Sequence, residues 1–214
     1  MIADNLKKVK SRIVSVEHDQ QVQLIAVSKA RSINEIQQAV DAGQMQFGEN
    51  HLQESLDKID SLEGKNLIWH FIGPIQSNKT ASIAEKFDWV HSIERYKIAK
   101  RLSDQRPPKL SQLNVLLQVN IDREKTKSGF FLEDIGEIVP EIKKLANISL
   151  RGFMCIPNPD NSSDSFTKMA ELISKYPDLD TLSIGMSADL ELAVEKGATF
   201  VRVGTDIFGE REYN

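Results

Sequence analysis

The sequence contains one cysteine, Cys155, which excludes an internal disulfide and any metal site made of several cysteine ligands. Its four histidines have no spacing typical of metal ligands, so we expect no bound metal. No hydrophobic run is long enough to span a bilayer, and the charged segment from Met1 to Arg12 is unlike a signal peptide. The net charge is −4 and no basic block occurs, which argues against nucleic acid as a partner. We therefore expect a cytoplasmic protein that binds neither membranes nor nucleic acid.

Linkers, internal repeats and low-complexity segments are also missing, which indicates one domain over residues 1–214. Eight short apolar segments predict strands, with a helical stretch between each successive pair. The predicted strands cover residues 24–27, 44–47, 66–72, 89–92, 113–120, 148–154, 181–184 and 200–204. A turn is predicted over residues 48–50, and Pro140 is expected to kink or break a helix over residues 132–145.

This alternation of strands and helices predicts parallel strands joined by crossover helices. Eight such units fit a closed (β/α)8 barrel, the TIM barrel, better than an open sheet. An extra helix over residues 2–16 precedes the first strand, because apolar residues recur there with a helical period. An open doubly wound sheet is the alternative, although the Gly-x-Gly-x-x-Gly fingerprint that would favour it is absent.

Functional residues of such barrels lie at the C-terminal ends of the strands. Lys29 follows the first predicted strand, where a buried segment opens into a loop. Most lysines in such places are simply solvated, whereas a lysine in an apolar pocket has a lowered pKa and can react as a neutral amine. Other polar residues converge on the same rim, and the segment beginning at Met154 follows the sixth strand there. This convergence favours a chemical role for Lys29.

The ends of the last two strands have features of a phosphate site. Gly185, Met186 and Ser187 lead into one helix, and Gly204 and Thr205 lead into a short helical turn. Free N–H groups at a helix start bind phosphate, glycine allows close approach of the backbone, and the two hydroxyls can donate. Either loop alone is explained as well by a helix cap or a chain turn, but both together favour a phosphate site.

Arg202 lies two residues before Gly204 and therefore shares its face of the strand. A guanidinium inside a barrel requires an acceptor, which a neighbouring carboxylate or a heteroatom of a bound ligand could supply. An amine, a phosphate cradle and an arginine together match the aldehyde, phosphate and ring nitrogen of pyridoxal 5′-phosphate (PLP). We therefore predict that PLP binds here, with Lys29 made partly neutral by apolar residues such as Ile72.

The chain carries, in order, the motifs Ala-Val-Ser-Lys at 26–29, Phe-Gly-Glu-Asn at 47–50, Trp-His-Phe-Ile-Gly-Pro-Ile-Gln-Ser-Asn-Lys at 69–79, Arg-Gly-Phe-Met at 151–154, Gly-Met-Ser at 185–187 and Val-Arg-Val-Gly-Thr at 201–205. In this order and over the whole length, they resemble the YggS/PROSC family of pyridoxal phosphate homeostasis proteins. The resemblance implies a single-domain barrel similar to the N-terminal domain of alanine racemase, with PLP held as a Schiff base on a lysine.

By motif position, that lysine is Lys29, and Arg202 matches the arginine that faces the ring nitrogen. Asn50 matches a pocket residue beside the cofactor, and the segment around Ile72 matches the part that covers the ring. The departures from the family pattern, such as Cys155 in place of the usual alanine, avoid the lysine, arginine and phosphate positions. The predicted cofactor-binding residues are Lys29, Asn50, Ile72, Met154, Ser187, Arg202, Gly204 and Thr205, with no catalytic residue and no metal ligand.

Two functions of different class fit this site. In the first, the protein holds PLP, buffers or delivers it without turnover of its own, binds related B6 vitamers and contacts PLP-dependent apo-enzymes transiently. In the second, it is a racemase-like enzyme acting on amino acids. A colourless lysine aldolase acting on a phosphorylated sugar is a third possibility, which the yellow colour of bound PLP would exclude.

The expected partner of the ring nitrogen and the length of the chain favour the first function, that of a PLP carrier. Arg202 can only donate, so it favours an unprotonated ring nitrogen and a weaker electron sink, although alanine racemase itself has such an arginine. The racemase family brings a catalytic tyrosine from a second domain across a dimer interface, and we expect no second domain after Asn214. Proton transfer to both faces of the ring then lacks a second acid or base. We therefore expect a monomeric carrier.

Overall fold

Eight parallel strands form a closed barrel within residues 1–210, the range that the computed structural model describes. The strands are β1 Gln23–Val27, β2 Gln46–Glu49, β3 Ile68–Phe71, β4 Trp89–Ile93, β5 Leu113–Val119, β6 Ile148–Cys155, β7 Thr181–Ser183 and β8 Phe200–Val203. Each strand pairs with the next in chain order, and β8 pairs with β1. The predicted (β/α)8 barrel is therefore confirmed over the open sheet. The predicted single domain extended to residue 214, and residues 211–214 lie outside the described range.

Helices alternate with these strands on the outside of the barrel. They are α1 Ile2–Val14, α2 Ile33–Asp41, α3 Leu52–Ser61, α4 Thr80–Lys86, α5 Tyr96–Gln105, α6 Ile135–Lys143, α7 Ser162–Ser174, α8 Leu190–Glu195 and α9 Thr205–Phe208. The first of them is the extra helix expected before β1, and its buried face consists of Ile2, Leu6, Val9 and Ile13. It packs against α8 and α9, which follow the last two strands. Among residues 1–210, no helix is long and apolar enough to cross a membrane.

The break predicted at Pro140 does not occur, because α6 continues through this residue to Lys143. Proline removes one helical hydrogen bond at its own position. The helix nevertheless keeps a buried face made of Ile135, Val139 and Ile142, which lie on both sides of the proline. Burial of this apolar face outweighs the lost hydrogen bond.

The turn predicted over residues 48–50 is also wrong at its start, because Gly48 and Glu49 belong to β2. The carbonyl of Glu49 accepts from the N–H of Ile72 at 2.9 Å, which extends the pairing of β2 with the end of β3. The Glu49 side chain is fully buried and bonded to Ser28 and Lys58. A Gly-Glu-Asn segment is typical of a turn, but these paired polar contacts stabilise the extended chain inside the protein.

Two histidines occupy the interior of the barrel. His70 on β3 and His91 on β4 are fully buried, and His91 lies 2.9 Å from the hydroxyl of Ser183 on β7, across the barrel. The ring of His70 stacks on Trp89 with centroids 5.8 Å apart and meets the edge of Phe200 at 5.3 Å. Burial disfavours the charged ring, so the pKa of His70 is lowered to about 3 and that of His91 well below its ordinary value. Both rings are therefore neutral at neutral pH.

These neutral histidines predict a loss of stability in mild acid. An unfolded histidine takes up a proton near pH 6.5, whereas His70 in the fold stays neutral until about pH 3. Between these values the folded state binds fewer protons than the unfolded state, so the free energy of unfolding falls as the pH falls. Below pH 6.5 we expect a loss of about 1.4 kcal/mol per pH unit for each of the two rings.

Urea unfolding between about pH 7 and about pH 5 measures this slope above the range in which ordinary carboxylates titrate. The His70→Asn variant should show a slope about half that of the wild type, because one of the two rings is removed. A wild-type free energy of unfolding that stays constant over this interval would contradict the neutral, buried assignment.

Candidate functional site

A cavity of about 310 Å³, here called the mouth cavity, opens at the C-terminal ends of the strands. Its size suits a small organic ligand. Its lining residues are Val27, Lys29, Asn50, Ile72, Ile156, Met186, Ser187, Ala188, Arg202, Gly204 and Thr205. The fold thus brings together all the residues predicted for the cofactor site except Met154.

Met154 is fully buried in β6 and is absent from the lining of the mouth cavity. The strand continues to Cys155, one residue beyond its predicted end, so the chain reaches the rim later than the sequence suggested. Ile156 is the residue that emerges there, with an exposed fraction of 37%. It adds an apolar wall to the cavity.

The segment that carries Lys29 is fixed by backbone hydrogen bonds on both sides of the lysine. The N–H of Ser28 donates to the carbonyl of Gly48 on β2 at 3.0 Å. The N–H of Ala30 donates to Oε1 of Glu54 at 2.7 Å, with Ala30 in the left-handed region at φ 57°. Since a non-glycine residue adopts this conformation only when its surroundings impose it, the backbone leaving Lys29 is held tightly.

A buried ion cluster lies directly behind this segment. The Lys58 ammonium donates to the carbonyl of Ser28 at 2.7 Å and to Oε1 of Glu49 at 2.8 Å, and it also bonds to Glu54. The Ser28 hydroxyl donates to the same Glu49 oxygen at 2.6 Å. Burial raises the pKa of Glu49, while Lys58 and Ser28 act in the opposite direction. The cluster connects α3 to β1 and β2, so Glu49 holds these elements together.

Arg202 lies at the bottom of the mouth cavity and is only 5% exposed. Nη1 donates to the carbonyl and to the hydroxyl of Ser183, both at 2.7 Å, and Nη2 donates to the carbonyl of Cys155 at 3.0 Å. Burial lowers the pKa of this guanidinium from its ordinary value. These three bonds use three of its five N–H groups, and donors are left for a ligand. The carboxylate partner considered from the sequence is replaced by strand-end carbonyls and one hydroxyl.

Ser187, Gly204 and Thr205 form one wall of the mouth cavity. Residue 189 rather than Ser187 is the N-cap of α8, so the helix-cap explanation for Ser187 is wrong. The carbonyl of Ser187 accepts from Arg12 of α1 at 2.9 Å, which fixes the loop. A Cβ at position 204 would lie 3.2 Å from the carbonyl oxygen of Val27, so glycine permits this close approach of the backbone to β1. The first N–H groups of α9 have no acceptor within their helix.

Asn50 supplies a polar atom that fits a ligand. Its Oδ1 is buried and has no hydrogen-bond partner within the described part of the chain. A buried oxygen in this state is costly unless a donor reaches it. Together with the unused donors of Arg202, it shows that the donor and acceptor set of the mouth cavity fits a polar aromatic ligand such as PLP.

Several contributors to the site were missed by the sequence analysis. Ser183 and the Cys155 carbonyl, which hold Arg202, lie at the ends of β7 and β6. The pairing of β6 with β7 and of β7 with β8 brings them near Arg202. Lys58 is a buried lysine on a helix with the ordinary amphipathic pattern, and no local signal marks it. Within residues 1–210, no group of three or more His, Cys, Asp or Glu side chains is placed to hold a metal ion.

Comparison with known sequences matches this chain to one protein family and to relatives that share one name. Residues 1–212 match the family described as alanine racemase, N-terminal domain. The pyridoxal phosphate homeostasis protein of Escherichia coli (strain K12) is 44% identical over 229 residues, which cover 100% of this chain and 98% of that protein. The protein of the same name from Pseudomonas aeruginosa is 48% identical over 222 residues, covering 99% of this chain and 96% of the relative.

Solved structures agree with this relation. PipY of Synechococcus elongatus PCC7942 without PLP has a TM-score of 0.88 at 35% identity, covering 98% of this chain and 100% of PipY. The PLP-bound structure of PipY has a TM-score of 0.85 at 34% identity. Alanine racemase from Corynebacterium glutamicum has a TM-score of 0.72 at 16% identity, over 99% of this chain and 61% of that chain, and shares the fold. The chain therefore belongs to the alanine racemase N-terminal domain family, among its pyridoxal phosphate homeostasis proteins.

Proposed function

We infer that this protein binds PLP and takes part in PLP homeostasis. The relatives named for that role match it over its full length, and PipY is known with PLP bound. The observation that carries the inference is the presence of Lys29, Arg202 and Thr205 in the lining of one cavity. An amine, a ring-nitrogen donor and a phosphate cradle are thereby available to one small molecule.

When bound, PLP supplies an aldehyde whose carbon forms a Schiff base with a lysine amine and releases water. We propose Lys29 as this lysine. The apolar side chains of Val27, Ile72 and Ile156 line the same cavity. The bonds of Ser28 and Ala30 to neighbouring elements hold the lysine backbone in a single position.

The phosphate is proposed to lie against Ser187, Gly204 and Thr205. The two hydroxyls and the first N–H groups of α9 are the donors, and Gly204 lets the backbone approach. Arg202 is proposed to donate to the ring nitrogen, with Asn50 beside the ring and Ile72 covering it. Met154 is too far down β6 to line the cavity, so its proposed contribution is support from beneath.

We propose a carrier without turnover of its own. Within residues 1–210, the lining of the mouth cavity contains Lys29 and Arg202 but no other ionisable side chain. Racemisation requires an acid and a base on opposite faces of the ring, and Arg202 only donates. Delivery to PLP-dependent apo-enzymes, the monomeric state and the cytoplasmic location stay predictions from the sequence.

The Lys29→Ala variant should lose covalent cofactor binding. Wild-type protein incubated with PLP should gain a visible absorption band, and borohydride should fix the cofactor to the chain, because a Schiff base is reduced to a stable amine. The variant should show neither effect, while Lys100→Ala, an exposed lysine on α5 paired with Asp104, should behave as wild type. Undiminished absorption in Lys29→Ala, still fixed by borohydride, would refute the assignment.

The Ser187→Ala and Thr205→Ala variants should weaken binding of PLP but not of pyridoxal, which lacks the phosphate. Loss of one hydrogen bond to a charged group should raise the Kd for PLP by about tenfold. Titration followed by visible absorption measures both ligands, and Ser174→Ala on the outer helix α7 is the control. Equal affinity of the wild type for PLP and pyridoxal would show that no phosphate site exists.

PLP-loaded protein should leave L-amino acids unchanged. Incubation with L-alanine and other L-amino acids, followed by chiral chromatography, should detect no D-isomer above the level produced by free PLP. Sustained racemisation that disappears in Lys29→Ala would replace the carrier by a racemase.

A further inference from the structure

A continuous row of polar side chains runs from Arg202 down the middle of the barrel, buried as far as His70 and half-buried at its last member, Gln46. Nη1 of Arg202 donates to Oγ of Ser183 at 2.7 Å, and this Oγ lies 2.9 Å from Nδ1 of His91. Nε2 of His91 lies 3.0 Å from Nδ1 of His70, and Nε2 of His70 lies 3.0 Å from Oε1 of Gln46. We call these last four side chains the relay. Because Gln46 is the first residue of β2, the relay joins the mouth cavity to the opposite end of the barrel.

The positive charge of Arg202 determines the direction of the first bonds. A guanidinium only donates, so the Ser183 oxygen must accept from it. The single hydroxyl hydrogen of Ser183 then has one acceptor among its contacts within residues 1–210, which is Nδ1 of His91. His91 therefore carries no proton on Nδ1.

The tautomers of both histidines follow from this step. His91 is neutral, so its proton is on Nε2 and is donated to Nδ1 of His70. His70 is neutral as well, so its own proton is on Nε2 and is donated to Gln46. Each ring thus has the Nε2–H form.

The hydrogen bonds of Gln46, at the end of the relay far from Arg202, agree with donation in this direction. Gln46 presents Oε1 to His70 and donates its amide Nε2 to the side-chain oxygen of Gln23 on β1. Every bond from Arg202 to Gln23 therefore points the same way. Hydrogen bonds aligned in this manner polarise one another in a low-dielectric interior.

We propose that the relay is a positioning device for the cofactor site, which keeps the Ser183 hydroxyl turned away from Arg202 and so aims the unused guanidinium N–H groups at the PLP ring nitrogen. The inference rests on the proposed function, since PLP supplies that nitrogen. A serine hydroxyl rotates freely unless an acceptor holds it. If Nδ1 of His91 carried a proton, the Ser183 hydrogen would have to turn elsewhere. The bond from Arg202 to the Ser183 hydroxyl would then weaken, and the carbonyls of Ser183 and Cys155 would be its main acceptors.

His91 is a positioning residue under this proposal. It is fully buried and is hydrogen-bonded to Ser183 and His70, neither of which lines the mouth cavity. Its effect on the cofactor must therefore pass through Ser183 and Arg202. A role in stability alone would predict no effect on the absorption of the bound cofactor.

Nitrogen-15 NMR of the wild-type protein labelled in its histidine rings tests the tautomers, with and without PLP. We expect two neutral rings that carry the proton on Nε2 and not on Nδ1. The Ser183→Ala variant assigns His91, because its Nδ1 signal alone loses a hydrogen bond. A proton on Nδ1 of His91, or a charged ring at neutral pH, would overturn the proposal.

The effect on the cofactor is tested with Ser183→Ala and His91→Phe, loaded with PLP. Each should change the position of the visible absorption maximum and raise the Kd for PLP by about tenfold, the loss expected from one misdirected charged hydrogen bond. Ser103→Ala is the matched control, since Ser103 is a buried serine on α5 that accepts from the N–H of Asn147 at 3.1 Å. His91→Asn keeps an acceptor near the Nδ1 position and should restore wild-type absorption.

The outcomes separate the relay from the proposed function. A wild type that never gains a visible band with PLP refutes the proposed function itself, and the tautomers are measurable all the same. A wild type that binds PLP, with His91→Phe and Ser183→Ala giving the same absorption maximum and affinity, refutes the relay alone. If His91→Phe fails to fold, Ser183→Ala decides, and if both fail, the wild-type tautomers decide.

Discussion

The structure depends on the need of one buried guanidinium for hydrogen-bond acceptors. Arg202 obtains them from the last residues of two strands, Cys155 of β6 and Ser183 of β7. Where a strand ends, its last carbonyl no longer needs to serve the sheet and can accept from a side chain. These acceptors lie near β8 because β7 pairs directly with β8 and β6 pairs with β7. Without these acceptors the guanidinium would be a buried charge without partners, at a cost of several kcal/mol.

Strand pairing also determines where Arg202 lies relative to Lys29. Pairing of β8 with β1 puts Arg202 beside Ile25 and Val203 beside Ala26, and the next residues along the two chains meet where Gly204 approaches Val27. Lys29 therefore stands further toward the solvent than Arg202, on the neighbouring strand. A ligand held by both must extend from the floor of the mouth cavity to its rim. The register between β8 and β1 thus determines how far Lys29 lies from Arg202.

The architecture and most of the site followed from the sequence, and the failures have a common physical origin. Alternating apolar and helical segments were enough to predict the barrel. Residues at strand ends, such as Lys29, were predicted to share a site, and they line one cavity. Local pattern failed where tertiary contacts decide: at Glu49, stabilised in a strand by Lys58, and at Met154, where β6 runs one residue longer. The histidines of β3 and β4 gave no functional signal, since nothing local shows that their side chains meet inside a barrel.

The fold is shared with alanine racemase, so the choice between a carrier and a racemase depends on the residues around the mouth cavity. The barrel fixes the lysine segment through Glu54 and the Lys58 cluster, and it fixes the arginine through Ser183. The first set of contacts comes mainly from helix α3, and the second comes from the end of β7. A second proton donor on the opposite face has to come from outside the barrel, since the remaining lining within residues 1–210 is apolar, amide, hydroxyl or glycine. Anchoring without a second acid or base favours reversible capture of the cofactor over its use.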